Sequence, residues 1–489
     1  MMKKSYLAAL TLPFIAAGSL HAEDTSRPNI ILMMADDLGW GDVGYNGNTV
    51  IKTPSIDQMA EQGARLDRFY AAAPVCSPTR ASALTGRHPY RTGIFSANLG
   101  ILRPEEVTIA KVLKPLGYAT GHFGKWHLGT LTATEKDANR GGPKSAHLLN
   151  PPTDHGFDTY FATESKVPTW DPMKLPEKIE KPGSKGFGWS YIKEGEAYKD
   201  YGTAYWTPEG KATENLDGDD SRVIMDRAIP FIEEAVKNDK PFFTVIWFHT
   251  PHLPCVAGPE YAEMYKDLDF KMQQYAGCIT AMDDQIGRLR TKLDELGVAN
   301  NTMVWFCSDN GPESSGKSPG SSGEYSGRKR SLHDGGVRVP GVMVWPNVVS
   351  SPMTISAPIV TSDYLPTIVE AVGAKKPPYE LDGVSVLPLL KGESIKRDPI
   401  GFIFKGVEAF NGEKYKYYRS SKSIELYDME NDPYEKNNIA DQHPEIVEQF
   451  KKQIKAWHAS CRSSFEGAEY GTDSLERVEQ DYPEVLGAN

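Results

Sequence analysis

The sequence predicts an α/β protein: a large, mostly parallel central sheet flanked by helices, followed by a smaller C-terminal subdomain containing an antiparallel sheet. Three observations predict it. Helical patterns alternate with short, wholly apolar runs, the signature of strands buried on both faces. Polar, chemically loaded residues follow several of those runs directly: Asp36-Asp37, Gly124-Lys125, His249 and Ser308-Asp309-Asn310. Beyond about residue 395 the texture changes to short alternating segments and one closing helix.

The elements follow in order. Residues 28–34 (PNIILMM) read as a central strand ending on two carboxylates. Residues 54–64 read as a helix, with Pro54 at its first turn and Gly63 near its end. A short helix is expected over 80–84. A helix over 107–116 feeds a strand at 118–123. Residues 222–236 form an amphipathic helix before the strand 242–248 (FFTVIWF), and a long helix at 271–296 precedes the strand 302–307 (TMVWFC). Another strand is expected at 339–345. Residues 164–219, rich in Gly, Pro, Lys and Tyr, read as an irregular insertion over the site. Strands at 401–405, 414–419 and 424–427 and a helix at 445–458 close the chain. The expected organisation is a leader over 1–22, a catalytic domain over 23–395 and a C-terminal subdomain over 396–489.

The chain has 489 residues and a formal charge of −11. This balance argues against nucleic-acid binding and against a basic membrane surface. Lys3 and Lys4, the apolar stretch to Leu20 and the small residues around Ala22 read as a secretory signal peptide. A periplasmic or secreted location, delivered by the export machinery and without stable membrane insertion, is expected. Five cysteines, an odd number, leave at least one unpaired, and no CxxC spacing suggests zinc or iron–sulfur.

Asp36, Asp37, Asp309 and Asn310 offer hard oxygen ligands where two strands end, which suits Ca²⁺ or Mg²⁺ better than Zn²⁺. An Asp-Asn-Gly after a strand is more often only a turn; the shared context lifts the metal reading. Cys76, opening Cys76-Ser77-Pro78-Thr79-Arg80, reads as a nucleophile, a modified residue or a plain buried thiol. Lys125 and His127 lie two apart beyond a strand, and His249 and His252 follow another. Lys329 stands between Arg328 and Arg330. A buried set of Arg80, Lys125 and Lys329 needs an anion to justify it, and an oxyanion of sulfate or phosphate size beside a divalent cation fits.

With these motifs in order, the chain resembles the type I sulfatases, the formylglycine-dependent family of the alkaline-phosphatase-like superfamily. Cys76-Ser77-Pro78-Thr79-Arg80 matches the C-x-P-x-R maturation motif. Residues 29–42, 124–129, 309–311, 335–340 and the closing Leu426-Tyr427-Asp428 with Asp432-Pro433 also match. The resemblance implies that a formylglycine-generating or radical sulfatase-maturing enzyme oxidises Cys76 to formylglycine, whose hydrate attacks sulfur and later expels sulfate by collapse to the aldehyde. It implies one Ca²⁺ held by Asp36, Asp37, Asp309, Asn310 and residue 76. Arg80 and His127 would orient and activate the nucleophile. Lys125 and Lys329 would clamp the sulfate, His252 would protonate the leaving oxygen, and His249 would support substrate binding. Many relatives carry Gly-Lys-Gly or similar around the second lysine and Glu before Gly-Gly. Here Arg328 and Arg330 flank Lys329 and Asp334 precedes Gly335-Gly336, so the arginines are expected to reach an acidic sugar.

An exported sulfatase implies a sulfated oligosaccharide or polysaccharide as substrate, with an algal galactan such as carrageenan favoured over a glycosaminoglycan. Trp170, Trp189, Tyr191, Tyr201, Tyr205 and Trp206 offer faces for sugar stacking or for packing the insertion. The rivals are a phosphonate monoester or phosphodiester hydrolase of the same superfamily, and a sugar-binding protein without turnover.

Overall fold

The computed structural model describes residues 27–178, 189–193, 195–314, 318–471 and 481–483. The expected signal peptide lies outside these. The main sheet contains β1 (Asn29–Ala35), β2 (Ala64–Leu66), β3 (Ala119–Lys125), β4 (Thr159–Thr163), β5 (Trp206–Thr207), β6 (Gly210–Lys211), β7 (Phe242–Trp247), β8 (Thr302–Ser308), β9 (Gly341–Val344) and β10 (Met353–Ile355). Their spatial order is β10-β2-β9-β8-β1-β7-β3-β4-β5-β6. The five central strands, from β8 to β4, are all parallel.

The apolar runs are explained by burial on both sides. Ile31, Met33 and Ala35 of β1 face one core, and Ile30, Leu32 and Met34 face the other. The first core is closed by α1 (Pro54–Gln62), α3 (Asp220–Lys237) and α4 (Phe270–Glu295). The second is closed by α2 (Cys76–Thr85) and α5 (Tyr364–Ala371).

Two expectations change. The segment expected as another strand at 339–345 forms β9, which runs antiparallel to β8. The insertion is not wholly irregular. It supplies the β5–β6 hairpin, which extends the sheet edge beyond β4. Within it Tyr205 and Trp206 are packed, with the Tyr205 hydroxyl on Asp220 (2.6 Å) and the Trp206 indole on Asp137 (2.9 Å), so these two faces are not open to sugars.

The C-terminal sheet is antiparallel: β11 (Ile400–Phe404), β12 (Val407–Asn411), β13 (Tyr415–Arg419) and β14 (Ile424–Asp428). Strand β12 escaped the sequence reading; Lys405 and Gly406, both at positive φ, turn the chain into it. One face packs on α6 (Pro444–Phe465), longer than expected, through Phe410, Tyr417, Phe450 and Ile454. Phe402 and Ala409 on the sheet pack with Tyr70, Val75 and Val337 of the main body. That face therefore braces the segment leading into Cys76. The fully buried Lys416 adds a polar strut, with Nζ 2.7 Å from Asp334 and 2.6 Å from Glu435.

Candidate active site

Parallel strands put their carboxyl ends on one edge, and the chemically loaded residues converge there. Backbone bonds hold the strand-end loops together: Asp36 N–H donates to Thr250 O (2.9 Å) and Asp309 N–H to Ala35 O (3.1 Å). Asp37 has φ +69°, a left-handed turn. Two adjacent strand side chains would otherwise point apart; this turn lets both carboxylates face one centre.

Cys76 is the first residue of α2, and Arg80 lies one turn on, on the same face. Pro78 falls within the first helical turn, where a missing N–H costs nothing. Thr79 Oγ1 donates back to Ala73 O at 3.0 Å, fixing the helix entry. Cys76 Sγ is 3.4 Å from Asp36 Oδ1 and 3.5 Å from Lys329 Nζ. Burial, then Asp309 and Asp36, push the thiol pKa far up, and Lys125 and Lys329 only partly oppose them. Burial among carboxylates thus disfavours a thiolate at residue 76.

Arg80 is fully buried, 2.7 Å from Asp309 and 3.5 Å from Asp36, with its guanidinium over the Trp247 ring. Lys125 Nζ is 2.6 Å from Asp36 Oδ2, and Lys329 Nζ contacts Asp37 Oδ1. Burial opposes both ammonium charges, but Asp36 for Lys125 and Asp37 for Lys329 hold their pKa values above the ordinary lysine range. Burial likewise opposes the Asp36 charge, yet Lys125, His252, Arg80 and Lys329 hold that carboxyl well below its usual range. Asp309 is pushed up to about 7 by burial and by Asp36. Gly335 and Gly336 let the loop carrying Lys329 close. A Cβ at Gly335 would lie 2.3 Å from Gly327 O, and one at Gly336 would lie 2.1 Å from Ser331 O.

Asp36, Asp37, Cys76 and His252 place ligand atoms within 4.8 Å of one another. Asp309 and Asn310 flank them: Asp309 Oδ1 accepts from Asp37 N–H (3.1 Å) and Asn310 Nδ2 donates to Asp37 Oδ1 (2.7 Å). Asp37 Oδ2 and Asn310 Oδ1 are buried with no hydrogen-bond partner. Two orphaned oxygens in a carboxylate-rich pocket fit a hard divalent cation.

His252 Nδ1–H donates to Leu253 O (2.8 Å), which leaves Nε2 facing Asp37 Oδ2 at 3.7 Å. Burial lowers its pKa to about 4, although Asp37 and Asp36 pull upward. His127 follows Gly124 and Lys125 at φ +59°, so the extended two-residue spacing expected from sequence does not describe it. Its Nε2 lies 2.6 Å from Asn98 Oδ1. Burial, Lys125, Arg140 and Arg80 lower its pKa well below the usual histidine range.

Three expected substrate contacts look different in the structure. His249 is fully buried, bridging Asp220 Oδ2 (2.8 Å) and Thr163 Oγ1 (2.7 Å), so its ring has no free nitrogen for a ligand. Arg328 donates to the carbonyls of Glu313 (2.8 Å) and Gly320 (2.6 Å). Arg330 forms a bidentate pair with Glu313 (2.6 and 3.0 Å). The sequence reading missed Asn98, Thr163 and Asp220. Thr163 ends a strand, as Lys125 does, which was its one available signal; the other two carry none.

A sulfatase fold with this pocket at its strand ends defines the class. Residues 28–374 match the sulfatase family, and residues 323–460 match the C-terminal region of N-sulphoglucosamine sulphohydrolase. The chain belongs to the sulfatase family and is a sulfuric ester hydrolase. Among particular relatives, it is similar to the steryl-sulfatase of Homo sapiens, 30% identical over 86% of this chain and 79% of that protein. It is similar in structure to Ps i-CgsB in complex with k-i-k-neocarrahexaose: TM-score 0.73, 27% identity, 94% of this chain and 100% of that one. A sulfatase structure from work on glycosaminoglycan metabolism by bacteroides thetaiotaomicron matches at TM-score 0.70 and 27% identity, over 88% of this chain and 99% of that one. No helix among the described residues is long and apolar enough to cross a membrane.

Proposed function

We propose that this protein is an exported bacterial carbohydrate sulfatase, matured at Cys76 to formylglycine and dependent on one Ca²⁺, acting on a sulfated galactan such as carrageenan. The observation that carries the reading is the buried residue 76 set among three carboxylates, three cations and His252 at the strand ends. Asp36, Asp37, Asp309, Asn310 and residue 76 would hold the ion. The ion supplies positive charge at the sulfate oxygens, and formylglycine supplies the oxygen nucleophile.

The protein's own groups do the rest. Lys125 and Lys329 rest on the carboxylates Asp36 and Asp37, and where those carboxylates serve as metal ligands both ammoniums would be available to hold sulfate oxygens. Arg80, locked on Asp309, orients residue 76 one turn before it. His127, steered by Asn98, sits beside Lys125 as a neutral base. His252 delivers a proton from Nε2 to the leaving sugar oxygen, which is a poor leaving group without it. His249 positions Thr163 and the loop bearing His252. The carrageenan preference is supported by the likeness to Ps i-CgsB, and a glycosaminoglycan is the alternative supported by the bacteroides structure. An export route is supported by the leader-like first 22 residues.

The test is Cys76→Ser in protein co-produced with a maturing enzyme. It should fold with an unchanged circular dichroism spectrum and release no sulfate. Unaltered turnover would refute the role of residue 76.

A further inference from the structure

The strand β4 leads into a strap, residues 163–169, that crosses the catalytic edge. One end is tied beside Lys125, where Trp126 N–H donates to Thr163 O (2.9 Å). The other is tied beyond His252, where Thr169 Oγ1 donates to Val256 O (2.8 Å) and accepts from Val256 N–H (2.7 Å). Every residue of this strap is buried except its midpoint, Lys166, which is partly exposed. Glu164, the acidic neighbour, is already paired with Arg140 at 2.8 Å. Among the described residues Lys166 has no ion pair and no hydrogen bond, unlike Lys125, Lys329, Arg328 and Arg330. Burial lowers its pKa first, followed by Lys125 and Lys329, against the pull of Asp36 and Asp37. The charges acting on it most are thus those of the catalytic cluster.

A charge reckoning says what it is for. Arg80, Lys125 and Lys329 balance Asp36, Asp37 and Asp309; a divalent ion adds two positive charges, and a sulfate ester brings one negative. That leaves one positive charge in excess before Lys166 is counted, so the reacting group is already neutralised without it, and a half-buried, unpaired ammonium on the rim calls for another anion. We propose that Lys166 binds a second anionic substituent of the substrate, a sulfate or carboxylate beside the sulfate that is cleaved, and so sets a preference for multiply charged saccharides. This rests on the carbohydrate-sulfatase reading above.

Two matched pairs test it: neocarrabiose bearing one sulfate or two, and N-acetylgalactosamine 6-sulfate or 4,6-disulfate. In Lys166→Met the ratio of kcat/KM for the disulfated over the monosulfated sugar should fall about tenfold, chiefly through KM, and Lys166→Arg should keep most of it. Equal losses on both sugars would make Lys166 a clamp on the reacting sulfate and overturn the proposal, as would no loss on either. Binding is read separately by calorimetry in the inactive Cys76→Ala background. Lys166→Met should weaken the disulfated ligand about tenfold relative to the monosulfated one; equal weakening, no change, or binding of neither pair overturns it. A matured wild type that releases no sulfate from any saccharide would instead sink the functional reading itself.

Discussion

Replacing His252 with Ala separates proton delivery from every other contribution of the site. Its Nδ1–H is fixed on Leu253 O, so Nε2 is the nitrogen that gains and loses the proton. With a pKa near 4, about one ring in a thousand is protonated at pH 7 in the resting enzyme. General acid catalysis contributes on the order of 10²–10⁴-fold, or about 3–5 kcal/mol, when the leaving group is poor. His252→Ala should therefore cost that much on a sugar sulfate and less than about tenfold on 4-nitrophenyl sulfate, whose phenolate leaves unaided. The sign of the pH effect follows. The acid form is required and the pKa lies below the working pH. The ratio of sugar-sulfate to aryl-sulfate kcat/KM, which cancels titrations common to both substrates such as that of Asp309, should thus climb in the wild type as pH falls from 7 toward about 4 and stay flat in the variant. The assay is sulfate release measured by ion chromatography beside nitrophenol absorbance. Equal losses on the two substrates would refute the assignment.

Three further outcomes are expected. Ca²⁺ at about a hundred times its dissociation constant should stabilise the fold by about 2.7 kcal/mol in a thermal melt; Asp37→Asn should remove most of that shift, and a shift unchanged by the substitution would place the ion elsewhere. Lys416→Met removes the closest cation from the buried Asp334 and Glu435, leaving Arg338 at 3.5 Å from Asp334 and His333 at 3.5 Å from Glu435, and should cost about 3 kcal/mol in urea unfolding; a loss under about 1 kcal/mol would contradict the strut. His88 packs on Trp457 of α6, and burial, offset in part by Asp382, lowers its pKa to about 3. The folded protein thus resists protonation that the unfolded chain accepts below about 6.5. The stability it contributes is present above that pH and drains away as pH falls toward about 3, by about 2 kcal/mol between pH 6.5 and 5. His88→Gln should flatten that limb in urea melts at a series of pH values, and an unaltered slope would contradict it.

Much of this was legible in the chain. Apolar runs that stop abruptly at Asp36-Asp37 and Asp309-Asn310 report both the buried parallel strands and their catalytic ends, because only a strand covered on both faces is apolar throughout. The short helix expected over 80–84 is present, but α2 starts four residues earlier, at Cys76 itself, which the sequence reading places before the helix. Other features were hidden because they are decided by packing. Nothing local tells whether Arg328 reaches a sugar or the carbonyls of Glu313 and Gly320, or whether His249 faces substrate or Asp220. Strand β4, with Thr at both ends, shows an apolar run of only three residues, and its absence from the sequence reading hid Thr163 and the strap behind it. The antiparallel course of β9 depends on its neighbours, since strand composition does not record direction.

The central claim is that residue 76, once matured, cleaves sulfate esters of saccharides. The most direct measurement follows sulfate release from defined carrageenan, fucoidan and glycosaminoglycan oligosaccharides beside the mass of the Cys76 peptide, in preparations matured to different extents with Ca²⁺ present. Release from one saccharide class, in proportion to the converted fraction, is the predicted result. Full conversion with no sulfate released, and turnover of a phosphonate monoester instead, would contradict it.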